Sequence, residues 1–156
     1  GRGVPESVKQ EAKKHPVGQL VIPKTIEQCL DLFANGYACH SGQQWACSSS
    51  QPADGINRKQ GIWNHDMGSG GYDRSEELWR EQVVFVAQSW GEWCPPNKVW
   101  LKHTDILGPY PTGMIVCPLE EWDRYFFRSG SIYFYGKITG FPAQRLPSYG
   151  TTSIIA

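Results

Sequence analysis

Trp63-Asn64-His65-Asp66-Met67-Gly68-Ser69-Gly70-Gly71-Tyr72-Asp73 and, after a charged spacer, Val83-Val84-Phe85-Val86-Ala87-Gln88-Ser89-Trp90-Gly91-Glu92-Trp93 decide how this chain is read. The second stretch opens on an uninterrupted apolar run, which predicts a buried strand over residues 83–87 ending at Gln88. The first carries a histidine into a glycine-rich strand, where Gly68, Gly70 and Gly71 let neighbouring backbone approach and demand support from both sides. Two adjacent strands then end on an imidazole and a carboxamide. That is how a fold presents a base and the group that orients it.

Upstream, residues 25–35 form the clearest helix. Thr25 is placed to cap it, Gln28 stands at the reciprocal position of a capping box, and Ile26, Cys29, Leu30 and Phe33 recur at helical spacing. Asn35-Gly36 supplies a left-handed stop. Cys29 belongs to the buried stripe, a packing role. The helix feeds a strand over residues 37–42, in which Cys39 and His40 must face opposite sides. Residues 43–61, rich in Ser, Gln, Asp and Gly, read as a long polar loop. Residues 5–15 read as a short solvated helix, and residues 19–22 as a short strand.

Downstream, residues 76–79 suit a helical turn and residues 92–111 read as irregular around Cys94-Pro95-Pro96-Asn97. A strand is expected over residues 113–117. A helix over residues 118–128 should follow, opened by Pro118, with Leu119, Trp122, Tyr125 and Phe126 on one face and Gly130 at its stop. Residues 131–138 make a last strand, rich in β-formers. The whole of 1–156 reads as one domain, with 1–24 as an entry segment and 140–156 as an extended tail. Seventeen glycines and eleven prolines favour short strands and turns over a helical bundle.

The formal net charge is zero and Lys and Arg do not cluster beyond Lys13-Lys14, which argues against nucleic acid as a partner. No apolar run is long enough to span a membrane. Five cysteines, at no scaffold spacing, point to a reducing cytoplasm, or to a virion or other assembly made in one. Cys39, His40, Cys47, His65 and Cys94 are candidate metal ligands by type, but no pair has zinc-knuckle spacing, so neither metal nor cofactor is expected. Glu76-Glu77 and Glu120-Glu121 are carboxylate neighbours at helix starts, where they favour the dipole rather than glycosidase chemistry.

The two opening stretches resemble the histidine and asparagine regions of papain-like cysteine peptidases, where an Asn-His strand ending in Gly-Tyr precedes Asn-Ser-Trp-Gly-x-x-Trp. The junction Leu32-Phe33-Ala34-Asn35-Gly36-Tyr37 resembles the family's helix leading into the strand beside the histidine strand. The resemblance implies an α+β fold: an antiparallel, partly barrel-like sheet with two or three peripheral helices, the β-rich C-terminal half of such a protein. It implies His65 as general base, Gln88 in the asparagine's place, and Trp90 shielding their bond from water, with Ser89 and Gly91 completing the motif. Gln88 keeps the carbonyl acceptor on one more methylene.

The family's cysteine motif is not found in this sequence. The nucleophile is therefore expected on another segment or chain, and this chain alone is expected to be inactive; Cys39 and Cys47 are the substitute thiols within it. The alternative is a non-catalytic papain-like protein, a pseudoenzyme serving as a structural or interaction subunit, for example in a phage virion. A sugar-binding module using Trp45, Trp63, Trp93 and Trp100 is a third reading.

Overall fold

A computed structural model of the chain describes residues 3–88 and 96–138. Six strands form one antiparallel sheet: β1 (Val17–Val21), β2 (Cys39–Cys47), β3 (Lys59–Asp73), β4 (Val83–Ala87), β5 (Met114–Pro118) and β6 (Ser131–Ile138), in the order β1-β6-β2-β3-β4-β5. The sheet is open, not barrel-like. β5, one of its edges, pairs on its outer side with a single residue, Asn57, whose N–H donates to Val116 O at 2.7 Å and whose Oδ1 accepts from Val116 N.

Helices surround it: α1 (Glu6–Ala12), α2 (Ile26–Ala34), α3 (Glu76–Trp79), α4 (Lys98–Lys102), α5 (Thr104–Leu107) and α6 (Leu119–Trp122), the last widening into a π-helical turn at Asp123–Arg128. These are more helices than the two or three expected, because Asn97 starts one inside the supposedly irregular stretch. Its Oδ1 accepts from the N–H groups of Val99 and Trp100.

The capping signals of α2 work as read, with one change of partner. Thr25 Oγ1 accepts from Gln28 N, but Gln28 Oε1 reaches past Thr25 to Lys24 N at 2.7 Å. At the other end Gly36 adopts φ 77°, and the bonds Tyr37 N to Leu32 O and Gly36 N to Phe33 O satisfy the last carbonyls. The strand that follows pairs with the histidine strand, and it runs further than expected: Gln43–Cys47, assigned to a loop, continues β2. Strict alternation explains this, since Cys39, Ser41, Gln43 and Trp45 are all buried while His40, Gly42 and Gln44 are exposed. Polar composition hid a half-buried strand.

One face of the sheet carries the main core, closed by α2 and α6. Trp122, fully buried, meets Phe33 at 5.5 Å between ring centroids and donates its indole N–H to Ser69 Oγ at 3.0 Å. Phe126 packs on Trp45 at 5.5 Å, and Ser41 Oγ donates to Phe126 O. On the other face, at the β4–β5 end, Trp79, Trp100, Val83, Val116 and Ile56 make a second cluster. A bulge at Gly70-Gly71 serves both: Ser69 pairs with Val86 but Gly71 with Phe85. The phase therefore flips, so that Met67, Ser69 and Tyr72 face the main core while Asp73 turns to the second cluster and accepts the Trp79 indole N–H at 3.0 Å.

Candidate functional site

His65 lies in β3 directly opposite Gln43 of β2, and alternation puts it on the core face with Met67 and Ser69. Gln88 follows β4, its N–H held by Gly113 O at 2.8 Å. Since Gly68 pairs with Ala87 and Ser69 with Val86, the next position on β4 stands across from Met67 and shares its face. Gln88 and His65 are thus diagonal neighbours on one face of adjacent strands, roughly 7–8 Å apart at the backbone. Gln88 is only 8% exposed.

Among the described residues three buried polar atoms here have no hydrogen-bond partner: Nε2 of His65, Oε1 of Gln88 and Nε2 of Gln43. An imidazole N–H donor and a carboxamide acceptor are complementary. Buried polar groups left unpaired cost free energy, so each of these atoms calls for a partner. Gln43 was not foreseen; only the period-two alternation through residues 39–45 could have pointed to it. Its Oε1 accepts from Trp45 N, which fixes the amide and leaves Nε2 unpaired. Trp63, 43% exposed, stands with its ring 5.8 Å from that of His65.

Asp66 is adjacent in sequence but faces the other side of the sheet, where its Oδ1 lies 3.2 Å from His40 Nδ1. His40 also meets Tyr135 edge-on at 5.6 Å. The chain therefore separates its two strand histidines onto opposite faces. A shallow, open depression of about 600 Å³ includes Gln44, Asn64, His65, Asp66 and Ser131 in its lining.

Neither substitute thiol reaches the imidazole. Cys39 and Cys47 each lie four residues along β2 from Gln43, the residue facing His65, hence roughly 13 Å away. Burial pushes the Cys39 thiol up to about 12, so it is not a thiolate at neutral pH. Cys29 is raised to about 12, again chiefly by burial, and Cys117 is driven well up by the same cause. Ser89, Trp90 and Gly91, with Trp93 and Cys94, lie outside the described residues.

Trp45 and Trp100 are 0% and 5% exposed, so neither offers a sugar platform. Glu121, read as a surface charge, instead accepts from the Trp45 indole and from Lys59 N, while Glu120 stays exposed near Arg124. Among the described residues no three His, Cys, Asp or Glu side chains gather to hold a metal, and no helix is long and apolar enough to cross a membrane. Comparison with family models, curated proteins and solved structures returned no match.

Proposed function

We propose that this chain is the base-bearing half of a papain-like thiol hydrolase acting on amide bonds. His65 is the general base, Gln88 orients it, and the nucleophilic cysteine with its oxyanion donors comes from a second, cysteine-bearing segment or chain. One juxtaposition carries the reading: a buried imidazole Nε2 and a buried carboxamide Oε1, on one face of neighbouring strands, complementary in kind and each without a hydrogen-bond partner among the described residues, so the bond between them is itself part of the proposal. With Nε2–H directed to Gln88, the Nδ1 lone pair is free to take a thiol proton. The thiolate then adds to the amide carbonyl, the imidazolium returns its proton to the leaving amine, and water releases the acyl group with His65 again as base. Lacking a thiol in reach among its described residues, the chain alone is expected to be inactive.

That same lack favours the rival reading, a non-catalytic papain-like assembly subunit. The two separate on the protein in its natural assembly, treated with an epoxide probe for activated thiols. Hydrolase chemistry labels one cysteine outside this chain, and His65→Ala abolishes labelling while circular dichroism is unchanged. Labelling that survives His65→Ala overturns the proposal. No labelled thiol at all, with His65→Ala affecting stability only, selects the assembly subunit.

A further inference from the structure

We infer that the depression beside His65 is a subsite for a side chain ending in an uncharged carboxamide, that of glutamine, next to the amide bond acted on. That the occupant belongs to a substrate rests on the hydrolase proposed above; that it is a carboxamide follows from the walls. The depression lies where β6 begins. Ser131, the first residue of that strand, pairs with Gly42 of β2, and Ser129 and Ser131 line the hollow together with Gln43 and Gln44 of β2 and residues 64–66 of β3. Among the described residues that line it there is no apolar side chain, no lysine and no arginine, and Asp66 is the one carboxylate. Such a wall offers nothing to an aliphatic or aromatic group, whose burial is favourable against apolar surface. An anionic group would meet the field of Asp66.

One group in the wall fixes what must enter. Gln43 is 4% exposed, its Oε1 accepts from Trp45 N, and its Nε2 is buried with no hydrogen-bond partner among the described residues. A carboxamide nitrogen only donates, so the partner it calls for is an acceptor. Lysine and arginine side chains, which Asp66 would attract, carry donors alone and leave Nε2 unpaired. Because Nε2 lies beneath the surface, the acceptor has to arrive on a stem. A glutamine carbonyl stands beyond two methylenes, a serine hydroxyl beyond one. The amide nitrogen of the entering glutamine is then left to the rim, where Gln44, Asn64 and Ser131 hold acceptors.

The full chain, isotopically labelled, is titrated by NMR with N-acetylglutamine N-methylamide and with its glutamate and norleucine counterparts, which share the backbone amides and differ in the side chain alone. The glutamine probe should shift the signals of the Gln43 side-chain amide and bind at least about tenfold more tightly than either counterpart, as one satisfied buried donor allows. Gln43→Glu keeps an oxygen for Trp45 N but removes the donor, and should abolish the preference with unchanged circular dichroism. Probes that leave the Gln43 signals unmoved, equal binding of the glutamine and norleucine probes, or a preference that survives Gln43→Glu overturns the inference. The hydrolase fails separately: a glutamine preference lost in Gln43→Glu, together with epoxide labelling that survives His65→Ala, keeps the carboxamide seat and removes the catalysis.

Discussion

Replacing Glu121 tests how the β2–β3 ribbon is held in the shape that aims His65. The ladder between these strands shifts register twice, between Gln44 and Ala46 and between Ala46 and Cys47, so its own hydrogen bonds are interrupted there. One oxygen from α6 compensates: Glu121 Oε2 accepts from the Trp45 indole N–H at 2.8 Å and from the Lys59 N–H at 2.7 Å. Glu121→Ala strips the acceptor from both. Trp45 is fully buried, and a buried donor without a partner costs about 1–3 kcal/mol; Lys59 N is nearer water and should sit at the lower end, for a total of about 3 kcal/mol. Glu121→Gln keeps an oxygen but exchanges charge-assisted bonds for neutral ones, which should cost about 1–2 kcal/mol. Urea denaturation read by tryptophan fluorescence gives both values, provided the denaturant slope is unchanged. An alanine variant within about 0.5 kcal/mol of the parent, or a glutamine variant as damaged as the alanine, would refute the reasoning.

Gly130 sits where an added methyl group would meet Phe126 O at 2.3 Å and Gly42 O at 2.7 Å, so Gly130→Ala should cost about 1–3 kcal/mol. Gly42, whose added methyl meets nothing within 4 Å, is the control: Gly42→Ala should be neutral or gain up to about 1 kcal/mol by restricting the unfolded chain, and a reversed order in thermal melts would contradict this packing. Stability should also fall in alkali. Cys29 and Cys39 are raised from 9.0 to about 12, so between those values the unfolded chain loses thiol protons that the folded chain keeps. Their contribution is whole below pH 9 and declines by up to about 1.4 kcal/mol per unit for each thiol as pH rises towards 12. Cys29→Ala with Cys39→Ala should make that limb of the pH profile shallower, leaving the part that the buried Cys117 contributes; an unchanged slope speaks against their burial.

Local signals carried most of the element pattern. The Thr25 cap, the Asn35-Gly36 stop and the apolar run 83–87 each act over a few residues, and each produced the element it predicts. What could not be read was set by distant partners. Gln43 and Trp45 look like loop residues until α6 and the π turn arrive to bury them. Glu121 looks like a solvated charge until the bulged ribbon brings it two donors. Asn97 looks like part of a proline-broken loop, yet its Nδ2 donates to Gly55 O while its Oδ1 starts α4. The place of β1 at one end of the sheet follows from strand order, and strand order is a property of the whole chain.

That His65 and Gln88 share a face of the sheet rests on phase more than on proximity in sequence. A strand turns every second side chain to the same face, so a single inserted residue between positions 65 and 68 would carry the imidazole to the other side. The bulge that does occur lies beyond them, between Ser69 and Gly71, where it rotates Asp73 towards Trp79 and leaves the phase of His65 intact. The alternation therefore does for the candidate site what composition cannot, holding one histidine on the core face with a nitrogen unpaired among the described residues while the other stays exposed beside a carboxylate.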